Sequence, residues 1–517
     1  MVHLPVCARS VLYRHENHPL RFRPGSEDRL ASGHRDRGFS GRTRLGRPAN
    51  FYGPRARDCM WPPLRPTRLC REHASVGVVC PPVSSAVKEG GRVRFIGLDV
   101  HRDFCEVAIC EDGTVRSGPR VPTSPETLAR FAENLGPGDE VALECTGNAL
   151  AIARIIEPHV ARVVIAHAKS VRAISWAKVK NDRIDARTLA TLLASGFLPG
   201  VWTPDERTRL LRRLVGRRAQ LLKHRTSAKN AIHATLQRNL VGRAPATDVF
   251  GRRGRTWLSS VELPRDEQDT VEACLRQIDF LDAEISHLDQ VLAREVVDSR
   301  DVRRLMTIPG VNVTTAATFL SAIGDIDRFP TPRHLASYLG LTPRVRQSGI
   351  AEPRLGRISK EGSARARHVL VEAAWAVLKT PGPMRAFGER VAARRGRNVA
   401  AVAVARKLAV LCWHLLSTDT DYAFARPSLT AEKLRRMELV AGAESRRGWR
   451  GPGATFASKD QHARERAIVI QAETAYRRLV ADRTGRRRGA GAITGARISS
   501  ALQGQAARQD QAPGPAL

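Results

Sequence analysis

Asp99, Glu144, Asp182 and Asp185 are the residues whose types and spacing could carry chemistry. Asp99 closes an apolar run of Val93, Phe95, Ile96 and Leu98, and Glu144 closes the strand-like segment Glu140-Val-Ala-Leu-Glu144. Asp182 and Asp185 are three apart on an expected helix, so they share a face. Two strand ends and one helix face can bring four carboxylates to one sheet edge. Their mutual repulsion is costly unless divalent cations neutralise it, and hard oxygen donors with open water positions suit Mg²⁺. Two such ions would activate an attacking oxygen and stabilise a leaving one in phosphoryl transfer. Each piece has an ordinary counterpart: an Asp before His101 and Arg102 can be a surface turn, and Asp-x-x-Asp a solvated helix face. Together, in a basic chain, they point to a metal-dependent nuclease or recombinase.

A second group lies downstream. Ser348 sits in Arg344-Val-Arg-Gln-Ser-Gly349, with Arg354, Arg357 and Lys360 close behind. Such a serine is ordinarily a turn residue. A nucleophilic one needs a base and cations to stabilise charge developing on a phosphate; the arginines meet the second need, and no base is near in sequence. Leu305 to Ile323 reads as a short helix, a Pro309-Gly310-Val311 turn and a helix starting near Thr314. That arrangement suits a helix-hairpin-helix, whose turn amides can hold a DNA phosphate without reading sequence. Asn312 stands where a second glycine is common, and Asn tolerates positive φ better than most residues. A plain helical packing unit is the competing reading.

The elements that must position these groups follow from periodicity. After the first strand come two more, Phe104 to Cys110 and Thr114 to Val121, joined by Glu111-Asp112-Gly113 as an antiparallel start. Ser124 caps a helix to Leu135; a helix from Ala149 to Ile156 and a strand from Val160 to Ala166 complete a mixed α/β sheet. Residues 205 to 300 read as helical throughout. Val271, Cys274, Ile278, Leu281, Ile285, Leu288 and Leu292 form a heptad seam, and Leu210 to Leu240 carries apolar positions on a basic surface. An intramolecular hairpin and a dimerisation arm both fit. A mostly helical block from Leu305 to about Leu416 precedes a charged helical region, Leu429 to Glu444, and a Gly- and Arg-rich tail expected to be mobile after about residue 483.

Composition bounds the partners. The 517 residues hold 85 Lys+Arg against 51 Asp+Glu, a formal charge of +34, with 42% hydrophobic residues. That is globular composition with a demand for a polyanion, since each cation placed on a phosphate releases counterions. No uninterrupted apolar run approaches the ~20 residues of a membrane span. The best candidate, Ala400 to Ser417, contains Arg406 and Lys407, so no membrane is expected. The first thirty residues lack the apolar core of a secretory signal. Nine cysteines without a C-x-x-C pair read as free thiols in a reducing cytoplasm. Residues 1 to 92, with Pro-Pro at 62–63 and 81–82 and no sustained periodicity, are expected to be disordered. They read either as a basic nucleic-acid-binding arm or as sequence upstream of a true start near Val93, the second preferred.

Ile96-Gly-Leu-Asp-Val-His-Arg102, Glu144-Cys-Thr-Gly147 and Lys180-Asn-Asp-Arg-Ile-Asp-Ala-Arg187 resemble the DEDD, RuvC-like domain of a bacterial insertion-sequence transposase family. Pro309-Gly310-Val311 and Gln347-Ser348-Gly349 resemble motifs of the family's C-terminal transposase domain. The resemblance runs from Val93 to Glu444, more weakly to Asp482. It implies an RNase H-like fold binding Mg²⁺ through Asp99, Glu144, Asp182 and Asp185, with Ser348 attacking DNA to form a phosphoserine. It further implies guidance by a structured non-coding bridge RNA and assembly as dimers or tetramers. The group Lys178, Lys180, Arg183 and Arg187, and the helix from Arg207 to Lys229, would supply cationic surface for RNA and DNA. Gly310, Asn312, Arg344, Arg346, Arg354 and Lys360 would contact nucleic acid. The expected architecture is α/β plus α. It comprises a 1–92 segment, a RuvC-like domain at 93–204, a helical coiled-coil region at 205–300, a C-terminal transposase domain at 301–425 and a tail at 426–517. A junction-resolving nuclease using metal-activated water and a catalytically dead nucleic-acid-binding remnant are the rival readings.

Overall fold

A computed structural model describes residues 93–175, 181–445 and 457–482. The segment 1–92, the cations Lys178 and Lys180, and the tail after 482 lie outside the described residues.

Among the described residues six strands form one mixed sheet. They are β1 (Phe95–Val100), β2 (Phe104–Glu111), β3 (Thr114–Ser117), β4 (Val121–Pro122), β5 (Glu140–Glu144) and β6 (Arg162–Ala166). Their order is β3-β2-β1-β5-β6, with β4 also on β2; β1 pairs antiparallel to β2 and parallel to β5, and β5 parallel to β6. The expected strand from Thr114 to Val121 is two short ones, both paired to β2. Gly118 lies between them with its backbone against Val107, where a Cβ would meet Val107 Cγ1 at 2.8 Å.

The period of two along β1 assigns its faces. Ile96, Leu98 and Val100 join Leu128 and Ala132 of α1 (Pro125–Glu133) and Ile152 and Ile156 of α2 (Ala149–Ile156) in one core. Ser124 caps α1, its side chain accepting from Thr127 N. Gly97 and Asp99 face the other way. After α3 (Ala168–Ile174), helix α4 (Asp182–Ala194) lies across this second face, with Ala186, Leu189, Ala190 and Leu193 buried. A Cβ on Gly97 would lie 2.1 Å from the Ala186 carbonyl oxygen and 2.6 Å from Ala190 N, so only glycine lets α4 come this close.

Two long helices follow, α5 (Glu206–Arg238) and α7 (Arg265–Val296), with the seven-residue α6 (Arg252–Leu258) between them. The stretch is therefore not helical throughout: Asn239 caps α5 and non-helical chain surrounds α6. Ion pairs Arg218–Asp289, Arg225–Asp282 and Arg238–Glu267 run in opposite order along the two helices, so they are antiparallel. Buried Val271 and Ile278 meet Ile232 and Leu236, while Leu281 and Ile285 meet Leu221. The heptad seam is thus filled by this chain's own α5.

The roots of both helices enter the largest core. Leu211, Val215, Leu292 and Val296 join α8 (Arg300–Leu305), α9 (Val313–Ile323) and α10 (Pro332–Tyr338) there. A two-stranded hairpin, β7 (Pro343–Arg346) and β8 (Arg354–Ile358), interrupts the helices before α11 (Ala364–Lys379), α12 (Pro383–Arg395), α13 (Arg397–Ser417) and α14 (Pro427–Ala441). By length and composition α13 could cross a membrane, despite Arg406 and Lys407. Val404, Ala405, Leu408 and Ala409 on it are fully buried in this core, the ordinary position of a central helix. A last helix, α15 (459–482), docks through carboxylates. Glu473, 3% exposed, accepts from Gly382 N at 2.9 Å and pairs with Arg385, and Glu465 accepts from the backbone N and hydroxyl of Ser428.

Candidate active site

Asp99 and Glu144 come level because β1 and β5 are parallel neighbours in a register that sets Leu98 beside Leu143. Asp182 and Asp185 occupy the first turn of α4, where the helix dipole favours negative charge. Asn181 fixes that turn, its side chain accepting from Arg183 N. The close approach at Gly97 carries this turn over the edge where Asp99 stands one residue before the end of β1.

Asp99 is the buried member, 5% exposed. Burial raises its carboxyl pKa, His101 opposes that rise, and the charges of Asp185, Asp182 and Glu144 add to it. The other three sequence-selected acids therefore all act on Asp99. His101 Nε2 lies 3.1 Å from Asp99 Oδ2 and 3.3 Å from Asp182 Oδ2. Facing two carboxylates, that nitrogen is the donor. The backbone of His101 is held by its amide donating to Phe104 O and by Asn148 Nδ2 and Thr123 Oγ1 donating to its carbonyl, while the ring packs at 4.9 Å from Phe104.

Asp99, His101 and Asp182 offer ligand atoms that all lie within 4.8 Å of one another. A buried carboxylate crowded by three more is what a cation relieves, so the donor set fits a divalent metal. His101 is the site residue that sequence reasoning passed over. Its position two after Asp99 reads as a turn, and only the β1–β2 reversal returns its ring over the carboxylates.

Ser348 lies in the exposed β7–β8 connection, with Arg344, Arg346, Arg354, Arg357 and Lys360 all exposed. Gly349 after it takes a positive φ of 56°. Among the described residues no hydrogen bond or ion pair joins this hairpin to Asp99, Glu144 or Asp182. Arg183 and Arg187 are exposed on α4, near the acids in sequence and pointing to solvent. In the α8–α9 turn, Gly310 takes φ 78°, whereas Asn312 is extended at φ −107° and caps α9 by accepting from Thr315 N at 2.8 Å. The expected tolerance of positive φ is not what Asn312 supplies; it is an N-cap, and Gly310 makes the turn.

A transposase family model of the DEDD type matches residues 96–240, and one described as the transposase IS116/IS110/IS902 family matches 302–389. The first spans all four acids and the second spans Gly310, Asn312 and Ser348. The chain is 29% identical over 249 residues to the transposase for insertion sequence element IS1111A of Coxiella burnetii, covering 47% of this chain and 68% of the relative. It is 26% identical over 334 residues to the transposase for insertion sequence element IS1328 of Yersinia enterocolitica, covering 64% and 98%. Over 66 residues, 13% of this chain and 20% of the relative, it is 44% identical to the pilin gene-inverting protein of Moraxella bovis. Two transposase matches in this order, with three acids acting on a buried fourth in the first, make this chain a DNA-acting enzyme similar to transposases of the IS110/IS116/IS902 family.

Proposed function

We propose that the protein excises and inserts an insertion-sequence element by cutting and joining DNA strands through Ser348, assisted by Mg²⁺. The convergence of Asp99, Asp182 and His101 at the edge of the α/β sheet carries this reading. Asp99, Glu144, Asp182 and Asp185 would hold the ion, which supplies neutralisation of charge on the reacting phosphate. Ser348 Oγ forms a bond to phosphorus as the bond from phosphorus to deoxyribose oxygen breaks, and the proton lost from the serine hydroxyl is balanced by one gained on the leaving oxygen. Arg344, Arg346, Arg354 and Lys360 steady the phosphate charge meanwhile. Gly310, Asn312, Lys180, Arg183 and Arg187 hold DNA backbone, and the basic face of α5 holds a structured bridge RNA that selects the sites. Domains at 93–204, 205–300 and 301–425 divide these tasks within a homodimer or tetramer that works on the bacterial nucleoid.

Among the described residues no hydrogen bond or ion pair joins the hairpin that bears Ser348 to Asp99, Glu144 or Asp182, which keeps a second reading in view. There the acids activate water and Ser348 only contacts phosphate. Incubating the protein with element-end DNA and Mg²⁺ and separating denatured products separates the two. A covalent adduct in the wild type, absent in Ser348→Ala, supports the serine pathway. Free hydrolytic nicks with no adduct select the nuclease.

A further inference from the structure

Lys433 stands on α14, beyond both matched segments, and its ammonium enters the turn between α8 and α9. Nζ donates to the carbonyl oxygens of Met306, Ile308 at 3.0 Å and Val311 at 3.0 Å. An ammonium has three donors, and three turn carbonyls use them all. Among the described residues no carboxylate lies within ion-pair distance, so the charge is met by backbone dipoles alone. Burial pushes its pKa down to about 8. The turn is gripped from another side as well. A Cβ on Gly310 would lie 2.8 Å from both the Ala373 carbonyl oxygen and Ala376 Cβ of α11. With the carbonyls gathered behind the turn, exposed Gly310 and Asn312 form its outer face.

We propose that Lys433 is a tethered monovalent cation for the α8–α9 hairpin, drawing the Met306, Ile308 and Val311 carbonyls inward so that the outer face keeps the shape and positive potential a DNA phosphate needs. This rests on the reading of the hairpin as a phosphate-holding element. Lys433 is a positioning residue: it touches the turn and acts on DNA through it. The three carbonyls would equally suit K⁺ or a small ammonium ion if the side chain were shortened.

The test measures binding of the full-length protein to a labelled duplex by fluorescence anisotropy, in KCl and in tetramethylammonium chloride at equal ionic strength. Wild type should bind equally in both. Lys433→Met should bind about tenfold more weakly in both, as expected for a charge acting at a helix end. Lys433→Ala should be weak in tetramethylammonium and recover in KCl or methylammonium chloride, a recovery that simple packing would not produce. Asn312→Asp, which keeps the cap and adds a negative charge outside, reports on the hairpin itself. If Asn312→Asp weakens binding and Lys433→Met does not, the hairpin reading stands and the cation proposal falls. If neither weakens it, the hairpin reading falls first. Lys433→Ala remaining weak in every salt, or both Lys433 variants failing to fold in any of them, assigns Lys433 to packing and overturns the proposal.

Discussion

At the scale of single residues, the site is one buried acid whose environment is set by its neighbours. Asp99 alone among the four is nearly sealed from solvent, so its loss cannot be covered by water. Asp99→Asn should lower strand cutting by about 100-fold or more, the usual cost of removing one preorganised electrostatic group, in a gel assay of element-end DNA. His101→Ala should be milder, raising the Mg²⁺ concentration for half-maximal cutting by about 10- to 100-fold, as when a group that orients ligands is removed. An unchanged metal requirement would show that the imidazole only fills the gap between Asp99 and Asp182.

At the scale of elements, the decisive contact is α4 on β1. Gly97→Ala places a methyl group against the backbone of Ala186 and Ala190. It should cost about 1–3 kcal/mol by overpacking and tilt the first turn of α4 from Asp99, visible as a lower melting temperature together with lost cutting. On α11, a hydrogen bond to Glu372 raises the pKa of His368 above its ordinary 6.5, and the same bond lowers that of Glu372 below 4.5. The histidine's contribution to stability is full below pH 6.5 and lost as pH rises through its raised folded value. The glutamate's is present above pH 4.5 and lost as pH falls through its lowered one. The urea midpoint of wild type should therefore exceed that of His368→Gln most near pH 5.5, with the gap closing towards pH 8.

At the scale of the whole molecule, helices far apart in sequence close one core. α5 and α7 enter it at their roots, and α15 returns to clasp α12 and α14 through Glu473 and Glu465. Neither family model reaches α15, yet its two carboxylates satisfy the amides that begin α12 and α14. Glu473→Ala should cost about 1–3 kcal/mol by leaving Gly382 N and Arg385 without their acceptor, measured as a shift in the denaturant midpoint. Ending the chain at residue 456 should cost more. If thermal melting is the same with and without 457–482, the clasp contributes nothing to the fold.

The sequence by itself determined most of the succession of strands and helices that builds the α/β sheet, missing the split between β3 and β4 and the short α3, and it marked the four acids and the serine as candidates. These depend on local periodicity and on motifs that survive without tertiary context. The α1 cap at Ser124 and the span Ala149–Ile156 were legible for the same reason. Tertiary structure decided the rest. It filled the heptad seam with α5, broke the helical stretch around α6, turned Asn312 into a cap and brought His101 between two aspartates. It also sent Lys433 into a turn more than a hundred residues upstream. Such contacts join residues whose types are unremarkable where they stand. Their roles arise from what faces them once the sheet, the long helices and the core have closed.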